Sequence, residues 1–175
     1  MDKLTILATI ALDLTAALDA RSRYARLLQS LRRAIPYDAA ALMHLEGEAL
    51  VIKAAVGLGR EAMLQRFLPA DQPRLAIVAK ADGPIIFPSD SSLPDPFDGM
   101  LSINDPLATG LLPAGKTDAT RIHACIGCPL HASGRLIGML TADAVDPRAF
   151  ADLDLTFISA IAALAGAEMH TTDLL

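Results

Sequence analysis

At 175 residues, 53% hydrophobic and only 4% aromatic, the chain is long enough for one domain with a full, aliphatic, alanine-rich core. A formal net charge of -5 excludes nucleic-acid binding by this segment, because phosphate recognition needs a basic face. No apolar run approaches the roughly 18 residues of a membrane span, and the longest candidate, residues 157–167, is too short.

The chain opens on an apolar stretch, Leu4 to Leu12, that resembles a signal-peptide core. Asp2, Asp13 and the single Lys3 argue instead for a helix of the mature protein. Leu4, Leu7, Ile10, Ala11, Leu14 and Leu18 recur at three and four, which predicts one apolar helix face. A second helix is expected over residues 22–34, with Tyr24, Leu27, Leu28 and Leu31 inward, ended by Pro36. Residues 38–45 and 49–56, separated by Glu46-Gly47-Glu48, predict a β-hairpin in which His44 is a packed or half-exposed strand residue. Residues 60–67 suit a short helix. Asp71 is the expected N-cap of another, with Pro73 in its first turn and a body over residues 74–80. A brief strand follows at 85–87. Residues 100–120 show no periodicity and carry Asp105-Pro106, Gly110, Pro113 and Gly115, so a long loop is expected there, either a lid or a floppy connection.

The last third predicts two strands, 122–131 and 136–144, and a closing helix over 153–169 with Leu155, Ile158, Ile161, Ala162 and Ala165 inward. On the first strand Ala124, Ile126, Cys128 and Leu130 share one face, and His123, Cys125, Gly127 and Pro129 the other. Register decides where Asp143 points. A two-residue turn at Ser133-Gly134 sets it opposite Ala124. A three-residue turn including Arg135 sets it opposite Cys125, and the three-residue turn is the expected one. The whole predicts an α/β sandwich: a central antiparallel sheet with the N- and C-terminal helices on one face and a loop-lined pocket on the other.

The chemistry concentrates between Leu93 and Cys128. In Leu93-Pro94-Asp95-Pro96-Phe97-Asp98-Gly99, two prolines stiffen the chain around Asp95, and Gly99 permits a tight turn after Asp98. Downstream, Arg121-Ile-His123-Ala-Cys125-Ile-Gly-Cys128 adds an imidazole and a thiol on one strand face. Two carboxylates, an imidazole and a thiol are a plausible ligand set for a transition metal such as iron. Each also has a plain structural reading: turn aspartates, a buried small cysteine, a bracing histidine, a strand-ending aspartate. Cys125-Ile-Gly-Cys128 is formally C-x-x-C, but within a strand its thiols face opposite ways, and Cys128 reads as core. Only two cysteines, three apart, exclude a secreted disulfide framework and suggest a reducing cytoplasm. No nucleophile elbow, phosphate-binding loop or zinc-protease motif is present, so catalysis is not expected.

Taken together, helix-helix-hairpin, Pro73-Arg74-Leu75, Leu93-Pro-Asp-Pro-Phe-Asp-Gly99, His123-Ala-Cys125-Ile-Gly127, Leu136-Ile-Gly138 and Asp143 resemble the N-terminal GAF sensor domains of the NorR family. These are bacterial transcription activators that respond to nitric oxide, and the resemblance covers nearly the whole chain. It implies a mononuclear non-haem ferrous iron (Fe2+) that binds nitric oxide. The implied metal residues are Asp95, Asp98, Cys125 and Asp143, with His123 nearby. Arg74 is given the job of pairing with an iron-bound carboxylate or steering the gas, since a protonated guanidinium has no lone pair to donate. It further implies a single sensor domain over 1–175 cut from a longer activator, restraint of an AAA+ ATPase that nitric oxide relieves, and a helix-turn-helix elsewhere. A homodimer through the first and closing helices is expected. The alternatives from other classes are a metal-free GAF module for an organic effector or protein partner, and a Cys125/Cys128 redox sensor.

Overall fold

The computed structural model describes residues 2–16, 18–102 and 121–174. The predicted loop at 100–120 therefore lies mostly outside the described residues. Its start is ordered, because the Ser102 N–H donates to the Gly57 carbonyl at 2.7 Å and Leu101 bridges Leu58.

Helix α1 (Lys3–Leu14) begins where the Asp2 carboxylate accepts from the Thr5 N–H at 2.8 Å, and α2 (Ala20–Leu31) begins at Asp19, which caps Ser22 in the same way. The second helix thus starts two residues earlier and ends three residues sooner than its periodicity suggests. The apolar face of α1 also differs from expectation. Ile6, Ile10 and Leu14 are buried, whereas Leu4 is 76% exposed and Leu18 lies beyond the helix end. This helix is apolar nearly all round, so spacing alone did not single out the inward stripe.

Strands β1 (Ala39–Glu46) and β2 (Ala49–Val56) form the predicted hairpin, turning at Gly47 with φ +65°. Residues 60–67 are not one helix. Only α3 (Arg60–Met63) is helical, and β3 (Arg66–Phe67) pairs with β2, which buries Phe67 opposite Leu50. Asp71 is not a cap either. It closes a short 3₁₀ turn over Pro69–Asp71, and α4 (Pro73–Ala79) starts after Gln72 with Pro73 as its first residue. The strands β4 (Ile85–Phe87), β5 (Ala124–Ala132) and β6 (Arg135–Ala144) complete an antiparallel sheet of order β3-β2-β1-β6-β5-β4. The closing helix α5 (Leu155–Leu174) runs five residues further than expected, and its predicted inward residue Leu155 is exposed.

Alternation along the strands divides the core in two. One side packs Leu42, Ile126, Cys128, Leu130 and Leu140 against α1, α2 and α5. The other packs Met43, Leu50, Phe67, Phe87, Phe97, Cys125 and Met139 under α3 and α4. This is the predicted α/β sandwich, with terminal helices on one face and the short helices and loops on the other.

The β5–β6 register carries the most consequence for the site. The turn is two residues long: Ala132 pairs with Arg135, with Ser133 at φ +53° and Gly134 at +75°. The three-residue turn is therefore wrong, yet Asp143 does face Cys125. A bulge supplies the missing residue. Leu130 pairs with Gly138 and His131 with Leu136, leaving Ile137 without a partner.

Candidate metal centre

Three elements meet at the site. The first is the acidic turn. Phe97 is driven into the lower core, where its ring meets Phe67 edge-on at 5.0 Å, and this anchors the aspartates on either side. The Phe97 N–H donates to Asp95 Oδ1 at 2.8 Å and the Asp98 N–H to the Asp95 carbonyl at 3.2 Å, while Gly99 takes φ +83°. The second is the β5–β6 ladder, which holds Cys125 beside Asp143. The third is α4, which approaches β5 closely because Gly127 has no side chain: a Cβ there would lie 2.5 Å from Val78 Cγ2.

That approach brings Arg74, in the first turn of α4, into the interior. It is buried rather than solvent-facing. Its Nε donates to the Leu93 carbonyl at 3.0 Å and its Nη1 to Asp95 Oδ2 at 3.3 Å, and the guanidinium lies 5.0 Å from the centre of the Phe87 ring. The arginine therefore clips the acidic turn to the helix.

Carboxylate oxygens of Asp95 and Asp143 and the Cys125 sulfur all lie within 4.8 Å of one another. Asp143 is 1% exposed, and among the described residues neither of its oxygens has a hydrogen-bond partner. Burial, with the Asp95 charge next in weight, holds its carboxyl well above the usual range. Burial likewise pushes the Cys125 thiol up, reinforced by Asp143 and Asp95. Burial thus disfavours the charged form of both groups, a penalty that a bound cation would offset.

The other two predicted residues, Asp98 and His123, stand outside this triad. They line an adjoining cavity of about 400 Å³ with Arg74, Arg121 and the hydroxyl-bearing Ser89, Ser91 and Ser92. Asp98 Oδ1 accepts from the Ile122 N–H at 3.5 Å, and the His123 N–H donates to the Ala144 carbonyl at 2.9 Å. Arg121 and the three serines were not singled out from the sequence, where a serine-rich loop signals only a turn. Cys128 lies on the opposite face of β5 from Cys125, in the other core, with its thiol pushed up to about 12 by burial.

The GAF domain family matches residues 19–169. The chain is 41% identical over 160 residues to the anaerobic nitric oxide reductase transcription regulator NorR of Serratia proteamaculans, covering 90% of this chain and 29% of that protein. It is 37% identical over 166 residues to NorR of Aliivibrio fischeri, covering 95% and 30%. Among solved structures it superposes on the GAF domain of a phosphoenolpyruvate-protein phosphotransferase from Coxiella burnetii with TM-score 0.74 and 21% identity, covering 99% of this chain and 96% of that one. It also matches the A. Aeolicus nlh2 GAF domain in an inactive state, with TM-score 0.64 and 16% identity over 97% and 96%. The chain spans about three-tenths of the length of these NorR relatives. By the residues matched and the sandwich they form, the chain belongs to the GAF domain family.

Proposed function

We propose that the chain is the regulatory, non-catalytic domain of a nitric-oxide-responsive transcription regulator. In this reading Asp95, Cys125 and Asp143 hold one ferrous ion. The observation that carries it is the buried Asp143 carboxyl, whose two oxygens lack a donor among the described residues, beside a buried thiol and a second carboxylate. An unpartnered polar group in a dry core is costly, and a buried thiol and a second carboxylate stand beside this one. A divalent cation removes that cost, and mixed oxygen and sulfur donors suit iron. A ferrous ion held there would supply the binding chemistry for a small neutral diatomic such as nitric oxide.

The protein's own residues do the rest. Arg74 orients Asp95 by the bond to Oδ2 and balances the negative charge of the donor set. Phe87 and Phe97 wall the triad from water on the lower-core side. Asp98 and His123 line the cavity through which a ligand reaches the triad, placed to complete the coordination or to hold a ligand in it. Similarity to NorR regulators at 35–41% identity supports the nitric-oxide signal and the regulatory role.

Output then belongs to segments outside this chain, in our reading an AAA+ ATPase domain that this domain restrains until the gas binds. A cytoplasmic location fits such a regulator. Among the described residues no helix is long and apolar enough to cross a membrane. The exposed Leu4 and Leu12 of α1 and Leu155 of α5 support a homodimer through these helices. The Cys125/Cys128 redox reading gains nothing from the structure, since the two thiols face different cores.

The test is iron content after anaerobic loading. One iron per chain is expected in the parent, with loss in Cys125→Ser and Asp143→Asn. Equal iron in parent and both variants would sink the site.

A further inference from the structure

The last turns of α5 are held differently from the rest of the helix. Up to Met169 the helix packs through Phe157, Ile158, Ile161, Ala162, Ala165 and Gly166. Gly166 lets it sit directly on β5, since a Cβ there would lie 2.8 Å from the His131 carbonyl oxygen. After Met169 no residue of the helix is buried. Beneath this end lies a cavity of about 330 Å³ between α2, β1, β2 and α5, lined by Tyr24, His44, Lys53, Met169 and Thr172 among others.

Two ion pairs span this end. Arg23 of α2 meets Glu168 at 2.8 Å, and both side chains are largely shielded. His44 of β1 meets Asp173 at 2.7 Å, with Glu46 at 3.6 Å on the other ring nitrogen. Arg23 is itself fixed by a bond to the Leu18 carbonyl. Acidic residues at a helix C-terminus oppose the helix dipole, and this helix has no basic residue in its last turn. Glu168 and Asp173 therefore find their partners on other elements, the Arg23 guanidinium of α2 and the His44 ring of β1.

We infer that Arg23–Glu168 and His44–Asp173 form a polar clasp that holds the C-terminal turns of α5 across a cavity, in place of apolar packing. The His44–Asp173 pair has an exposed partner and contributes little, and no residue after Met169 is buried, so this end belongs to the least stable part of the fold while the helix start stays locked. The clasp is thus a release point: two breakable contacts, one to α2 and one to β1, help to fix the position of the helix end. Strand β1 also pairs with β6, Ala39 lying opposite Asp143 and His44 opposite Gly138. Displacement of β6 therefore reaches the clasp through one strand. The clasp itself does not rest on the metal reading.

The experiment is hydrogen exchange on the metal-free protein, comparing the parent with Glu168→Gln and Asp173→Asn. Both substitutions keep side-chain shape, remove the charge and replace one acceptor oxygen with an amide donor. Exchange of amides 168–174 is expected to rise roughly twofold to fivefold in each, the range for loss of a partly exposed pair, and further in the double variant. Amides 157–165 and those of β5 and β6 are expected to be unchanged. Unchanged exchange at 168–174 in the double variant would overturn the clasp, as would a uniform rise across the whole domain.

Discussion

Asp143 is the residue on which the site turns. Its folded carboxyl lies above the ordinary value, so the folded metal-free chain holds a proton that the unfolded chain has released. Stability from this group is full below the ordinary carboxylate value and is lost as pH rises toward the folded one. Thermal unfolding of the metal-free protein is therefore expected to shift to lower temperature as pH rises above the ordinary carboxylate value. Asp143→Asn should flatten that slope, since an amide carries no titrating proton; an unchanged slope would assign it to other groups. Metal binding must displace protons from Asp143 and Cys125, so ferrous affinity should rise with pH, read by titrations at two pH values. The pairing of Cys125 with a carboxylate was legible in the sequence only once a register was assumed. The complete burial of Asp143 was not, because an aspartate near a strand end ordinarily reaches water.

At the scale of elements, the site depends on how closely α4 sits on β5. Gly127 sets that distance, and a methyl group there would collide with the stiff, β-branched Val78. Gly127→Ala should lift α4, loosen the Arg74–Asp95 contact and destabilise the domain by about 1–3 kcal/mol, as overpacking does. Denaturant unfolding measures the loss, and reduced ferrous affinity would show that Arg74 has moved. Phe97→Ala should cost about 3–5 kcal/mol, as truncating a buried aromatic does, and should free the acidic turn. Hairpins and alternating strands were readable because each has a local signal, whereas the one helix cap expected, Asp71, closes a 3₁₀ turn instead. The β5–β6 pairing shows where local signals stop. Gly134 marks the turn, but nothing near Ile137 announces the bulge, because it is fixed by how β6 fits between β1 and β5. The expected turn length was wrong and the expected facing pair right, because the bulge restored the residue that the turn lacked. Similarly, Arg60 to Phe67 suits a helix locally, yet burying Phe67 beside β2 wins over continuing it.

At the scale of the molecule, the sheet separates two cores and connects them. Cys125 faces the site, while its neighbours Ala124 and Ile126 face the terminal helices. A change in how Cys125 and Asp143 are held is thus expected to reach the terminal-helix core within one residue of either strand. The lower core surrounding the triad is polar at its centre, so the metal-free fold should be less stable than the loaded one by mass action. Excess ferrous ion should raise the unfolding temperature of the parent and leave that of Cys125→Ser unmoved. The sandwich itself was legible from the order of elements. The sidedness of α1 was not, since a helix apolar all round declares no inward face.

The most direct test is an electron paramagnetic resonance spectrum of anaerobic, ferrous-loaded protein before and after nitric oxide is added. A new half-integer-spin signal at one spin per chain in the parent, absent in Cys125→Ser and Asp143→Asn, is the predicted result. No signal and no retained iron in the parent would contradict the metal centre and leave a GAF domain that recognises something other than a gas on iron.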